Sequence, residues 1–176
     1  MQNIGIKILF ITAFIVLNVS NFAQKAPVIK EVTVYVFLSE TCPICESYTL
    51  TLKALYSRYS SKSVKFIGVF PNHYSDEKGL SEFKKKYAIP FDLVLDKKNV
   101  LTKRLKASIT PEVFVEDADK KIIYSGRIDD SFYAIGKRRN VITSNDLELA
   151  LEAIASGKAP VQCKTQAVGC IISSSK

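Results

Sequence analysis

Cys42 and Cys45 stand three residues apart in "SETCPICESYTLTLKALY" (39–56), with Pro43 and Ile44 between them. Two thiols at this spacing are open to four chemistries: half of a metal site, a peroxide-reducing centre, a structural disulfide, or a dithiol that exchanges disulfides. A zinc site would need a second pair, and the remaining cysteines, Cys163 and Cys170, have six residues between them. A static disulfide across a three-residue step closes almost no loop and gains little entropy. Exchange needs a thiolate that attacks and a second thiol that resolves.

The flanking sequence supplies the positions that exchange requires. "EVTVYVFL" (31–38) is a nearly unbroken apolar run rich in Val, which reads as a strand buried on both faces. After it the period changes. Tyr48, Leu52, Leu55, Tyr56 and Tyr59 fall on one helical face. Cys42 therefore lies at a strand-to-helix join, where unpaired backbone N–H groups and the helix dipole favour a negative sulfur. Pro43 suits the first helical turn because its missing N–H has no partner to lose.

Further along, "SVKFIGVF" (63–70) is a second strand, making a parallel βαβ unit with the first. "EKGLSEFKKKYA" (77–88) predicts a helix with Leu80, Phe83 and Tyr87 inward, "FDLVLD" (91–96) a strand and "NVLTKRLKA" (99–107) a short helix. "EVFVE" and "KIIYSG" around "DADK" predict a β-hairpin led by Pro111. Residues 129–143 show no period and read as a functional or clasping loop, pinned by an ion pair of Arg127 with Asp129 or Asp130 or else a plain polar turn. A last helix is expected after Asn145 as cap, with Glu148 at its third position and Gly157 at its end. The expected class is α/β, with a mixed central sheet and helices on both faces.

The 176 residues suit one domain of ordinary size, 47% hydrophobic and 24% charged. The formal net charge is +8, but no nucleic-acid motif or aromatic interleaving accompanies it, so it reads as a solvated basic surface. Residues 1–23 have the pattern of a secretory signal peptide: Lys7, the apolar "ILFITAFIVLNV", and "SNFA". That predicts an extracytoplasmic protein, periplasmic or secreted, or membrane-anchored if the segment is kept. The domain is expected over 28–158, and 159–176 as a non-periodic tail carrying Cys163 and Cys170.

The chain resembles the thioredoxin-like superfamily, nearest its extracytoplasmic thiol–disulfide oxidoreductases and its redoxin (AhpC/TSA-like) type. The resemblance rests on "TCPIC" after an apolar strand, on "YAIPFDLVLDKKNVLTKRLKASITPEVFVEDADKKIIYSGRI", and on Thr110-Pro111. It implies a thioredoxin-like fold with an inserted strand and helix between the βαβ unit and a closing hairpin plus helix. It implies a cis Thr110–Pro111 bond beside the thiols, an open Thr110 edge for an extended substrate, and no dissociable cofactor or metal.

Under that resemblance Cys42 attacks and Cys45 resolves. Thr41, Pro43, Ile44, Thr110 and Pro111 form the substrate contact. Partners are protein thiols or disulfides and an upstream electron donor or acceptor. The chain departs from the family at Thr41, where many thioredoxins have Trp. It also lacks the Pro-x-x-x-Thr-x-x-Cys of peroxiredoxins, having Tyr35 and Ser39 in the first two places. A redoxin-type peroxidase and a non-enzymatic binding module remain as alternatives. Glu112 is a candidate proton relay; Glu40, Glu46 and His73 are relays or solvated surface groups. Cys163 and Cys170 form a structural disulfide or shuttle electrons to the first pair.

Overall fold

A computed structural model describes residues 31–173, so the expected signal peptide lies outside the described residues. Strand β1 (Val32–Phe37) is central. It pairs in parallel with β2 (Val64–Phe70), which pairs in parallel with β3 (Asp92–Leu95). On its other side β1 pairs antiparallel with β5 (Glu112–Glu116), and β5 with β6 (Ile122–Gly126). The sheet order is β3-β2-β1-β5-β6. The turn from parallel to antiparallel follows from the connections. Helices α1 (Pro43–Tyr59) and α2 (Glu77–Tyr87) cross over between parallel strands, whereas β5 and β6 are joined by a tight turn. Asp117 Oδ1 accepts from the N–H groups of Asp119 and Lys121 in that turn.

Side-chain alternation along β1 builds two cores. Val32, Val34 and Val36 join Tyr48, Leu52 and Leu55 of α1, Leu80 and Phe83 of α2, and Leu147 and Leu151 of α4 (Asp146–Ala155). Tyr35 and Phe37 point the other way, to Val69, Phe114 and Leu105 of the short α3 (Val100–Leu105). Three helices thus cover one face and one covers the other. Leu52 and Leu147 are fully buried, each worth about 1.5–3 kcal/mol relative to exposure. The insertion is held by Asp96, whose carboxylate accepts from the N–H groups of Val100 and Thr102 at 2.8 Å and from the Thr102 hydroxyl at 2.7 Å. The arrangement is the thioredoxin-like one that the sequence implies.

Three expectations need correction. Residues 129–143 are not simply irregular: β7 (Phe132–Ala134) and β8 (Lys137–Arg138) form a small hairpin turning at Gly136, which has φ +70°. Arg127 does not pair with Asp129 or Asp130. Its Nε donates to Asp146 Oδ2 at 2.7 Å, and Asp130 is the partner of Arg139. Asn145 precedes α4 but its side chain makes no capping bond; Ser144 Oγ donates to Asp146 Oδ1 instead, and Glu148 pairs with Arg58.

Candidate active site

Cys42 is the residue before α1, in extended conformation at φ −95° and ψ 110°, with Pro43 in the first turn. Its carbonyl accepts from the Glu46 N–H at 3.2 Å, which starts the helix. Cys45, one turn on, is fully buried, and Cys42 is only 1% exposed. Far along the chain, the Thr110–Pro111 peptide bond is cis. Both residues are buried beside the thiols, and Cys42 Sγ lies 3.2 Å from the Thr110 carbonyl oxygen, to which it donates when protonated.

The two thiols are unlike electrostatically. The Cys42 pKa falls from 9.0 to about 5. The Cys45 thiol donating to its sulfur is the largest cause; burial opposes it, and the Cys170 thiol and the N–H groups of Cys45 and Cys170 help. Cys45 moves well upward, first through burial and then through the negative Cys42 beside it. The result is one thiolate and one protected thiol at neutral pH, the division of labour that exchange requires.

The third thiol comes from the tail. Strand β4 (Ile109–Thr110) pairs antiparallel with β9 (Cys170–Ile171), with Thr110 opposite Cys170. Cys170 is pushed up to about 12 by burial and then by the Cys42 charge. Three anchors fix this segment. The Thr165 N–H donates to the Ser125 carbonyl at 2.9 Å, and the Thr165 hydroxyl accepts from the Arg127 N–H at 2.9 Å. The Ile172 N–H donates to the Ser108 carbonyl at 3.0 Å. The Ser173 N–H donates to Asn72 Oδ1 at 2.8 Å, and the His73 N–H to the Ser173 carbonyl at 3.1 Å. The tail therefore crosses the site from β6 to the 71–76 loop.

The other residues named from the sequence divide between this site and elsewhere. Thr41 and Pro43 are exposed at its rim, and Ile44 is buried in the core. The Thr41, Ser39 and Tyr74 hydroxyls form a triangle with sides of 3.1 to 3.3 Å. Glu112 is directed to the Ser108 N–H at 2.9 Å, and burial raises its pKa. Glu40 accepts from Ser75 Oγ at 2.8 Å, and Glu46 lies 3.7 Å from Lys86. Cys163 is exposed near β6, where its carbonyl accepts from the Ser125 N–H, and is not joined to Cys170; all four cysteines are free thiols. Among the described residues no cluster of three or more His, Cys, Asp or Glu is arranged to hold a metal ion. Sequence reasoning missed Tyr74 at the rim, and it took Cys163 and Cys170 together, whereas Cys170 alone approaches Cys42. The small residues of "AVGC" were the available signal for a chain lying close against another backbone.

None of the curated proteins matches the chain. Solved structures do. A hypothetical protein from Sinorhizobium meliloti 1021, SMc02350, superposes with a TM-score of 0.73 at 22% identity, over 83% of this chain and 81% of that one. An uncharacterized conserved protein from Geobacillus kaustophilus gives 0.72 at 23% identity, over 86% and 80%. StoA from Bacillus subtilis gives 0.50 at 24% identity, over 55% and 72%. At these identities the likeness is one of fold. A model of the family described as Redoxin matches residues 15–133, a span that holds Cys42, Cys45 and Thr110-Pro111, and the chain belongs to that family.

Proposed function

We propose that this protein is an extracytoplasmic thiol–disulfide oxidoreductase acting on protein thiols and disulfides. The observation that carries the reading is the pairing of a thiolate at Cys42, with its pKa near 5, and a buried, protonated Cys45 one helical turn away. The Cys42 thiolate attacks one sulfur of a substrate disulfide. A mixed disulfide forms, and the leaving substrate sulfur takes a proton from water. With Cys42 in that bond, its charge no longer raises the Cys45 pKa, although burial still does. Cys45 then ionises, with the Thr110 hydroxyl as a donor to its thiolate. It attacks Cys42 Sγ and frees the second substrate thiol. Two electrons pass to the substrate and the Cys42–Cys45 disulfide remains for an upstream dithiol to reduce; the reverse sequence oxidises a substrate.

Thr41, Pro43 and Ile44 with Thr110 and Pro111 form the substrate contact in this reading. The pairing of the Thr110 edge with β9 supports it, because the same edge would pair with an extended substrate once β9 is displaced. The signal-like segment 1–23 supports an extracytoplasmic site of action. Ser39, at the place of the peroxidatic Thr, shares its hydroxyl in hydrogen bonds with those of Thr41 and Tyr74, which does not favour peroxide chemistry.

The test is reduction of insulin disulfides by the full chain with dithiothreitol as terminal donor. Wild type should exceed the uncatalysed rate, Cys42→Ser should fall to it, and Cys45→Ser should accumulate a mixed disulfide. A wild-type rate equal to that of Cys42→Ser rejects the reading. Peroxide turnover with a thiol donor that survives Cys45→Ser, without insulin reduction, replaces it with a peroxidase. Partner capture without either activity replaces it with a binding module.

A further inference from the structure

The Thr110 edge, where an outside chain would add as a strand, is already taken. Cys170 and Ile171 pair with it in antiparallel register. The approach is so close that a Cβ at Gly169 would lie 2.2 Å from the Thr110 carbonyl oxygen and 3.0 Å from Pro111 N. Ala167 is buried, and Val168 and Cys170 pack against the core cluster that contains Cys42 and Cys45. These contacts cover Cys42 and bring the Cys170 thiol, opposite Thr110, within hydrogen-bond reach of the Cys42 sulfur.

We infer that Cys170 is a third redox thiol, carried on a C-terminal strand that serves as the protein's own substrate and forms a disulfide with Cys42. The inference rests on the proposed exchange at Cys42. After turnover has left a Cys42–Cys45 disulfide, the Cys170 thiolate attacks Cys42 Sγ. The Cys42–Cys45 bond breaks, the Cys42–Cys170 bond forms, and Cys45 leaves as a thiolate that takes up the proton Cys170 released. No electrons leave the chain, so no further oxidant is needed. Ionisation of Cys170 is easier in this state than in the reduced one, because the Cys42 charge that helps to hold it protonated has gone, although burial persists. The exchange parks the oxidised site in a closed form. Reduction of Cys42–Cys170, or attack by Cys45 in the reverse step, reopens it.

The chain lends itself to a direct test. Trypsin separates the three regions, since Lys53, Lys158 and Lys164 put Cys42, Cys163 and Cys170 on different peptides. Full-length Cys45→Ser is oxidised with one equivalent of diamide, digested without reduction and mapped by mass spectrometry. The expected product joins the Cys42 and Cys170 peptides in at least about tenfold excess over any Cys42–Cys163 product, the excess of a contact pair held by about 1.4 kcal/mol or more. Cys45→Ala is run in parallel, with circular dichroism confirming the fold of whichever variant is scored. Gly169→Ala, placed in the same background, should lower the yield severalfold and speed alkylation of Cys42 in the reduced chain. A dominant Cys42–Cys163 link, interchain dimers alone, or a yield untouched by Gly169→Ala overturns the inference. Wild-type insulin reduction is scored separately: its absence rejects the proposed function, while its presence without the Cys42–Cys170 link rejects only the third thiol.

Discussion

Thr110 and Cys170 lie opposite each other across two short antiparallel strands, and the carbonyl oxygen of Thr110 lies 3.2 Å from Cys42 Sγ. One residue thus links the Cys42 sulfur to the tail. The site is a closed arrangement of three chain segments, with Cys42 and Thr110 68 residues apart and Thr110 and Cys170 60 apart.

The depressed Cys42 pKa makes the reduced protein's stability depend on pH. A thiol that ionises at about 5 when folded and at about 9.0 when unfolded contributes stability fully present above about 9 and lost as pH falls through about 5. Cys170, raised to about 12, acts oppositely: its contribution is present below about 9 and lost as pH rises toward 12. The urea midpoint of the reduced chain should rise from pH 5 toward pH 9 and then decline. A Cys42→Ser chain with the same rising limb would show that Cys42 is not its source.

Cys170→Ala removes a thiol that donates to the Cys42 sulfur, and so should raise the Cys42 titration midpoint above 5. Cys170→Ser keeps a donor and should restore part of the shift. The pH dependence of Cys42 alkylation reads this directly, with the observed rate corrected for access. Identical midpoints in all three chains would count against a hydrogen bond between these sulfurs.

Tyr48 on α1 donates to Asp129 Oδ1 at 2.6 Å, and both side chains are buried. Asp129 Oδ1 also accepts from the Ser131 N–H at 2.8 Å, which leads into β7. Removing the hydroxyl as Tyr48→Phe leaves a buried carboxylate with one donor fewer, and should cost about 1–3 kcal/mol in denaturant unfolding. No change in midpoint would mean that water replaces the phenol.

Asp130 holds the end of the 129–143 segment. Its pKa is lowered from 3.8 to about 2, chiefly by the Thr143 hydroxyl, with the N–H groups of Ser144 and Thr143 and the charge of Arg139 also contributing. Its contribution is present above about 3.8 and lost as pH falls through about 2. Thr143→Val should move the Asp130 carboxyl resonance midpoint upward in an NMR titration. An unmoved midpoint would assign the shift to the backbone donors.

The parts of the fold legible in the sequence are those with local periodicity. The apolar run before Cys42, the helical spacing from Tyr48 to Tyr59 and the hairpin around 117–120 stand where the pattern puts them. The inward face of α2 is carried by Leu80 and Phe83, while Tyr87 is only half-buried. The β7–β8 hairpin was hidden because its strands are two and three residues long, although Gly136 marks its turn. The tail could not be read at all from period. Its partners are Ser125, Ser108, Thr110 and Asn72, on three other elements, so nothing in its own spacing reports them. Arg127 shows the same limit: the carboxylates near it in sequence are not the one it holds.

The strand that fills the Thr110 edge belongs to the chain itself, and this sets a threshold for every visitor. A tethered segment competes at an effective concentration that reaches the millimolar range for short flexible connections. A protein presenting only an extended backbone and a cysteine meets a rival that is always at hand. Under the proposed exchange, productive partners would need additional contacts, at the exposed Thr41, Pro43 and Tyr74 rim, to displace it. In that exchange the Gly169 contact would act as a selectivity filter, turning away casual disulfides and admitting those that recognise the surface around the thiols.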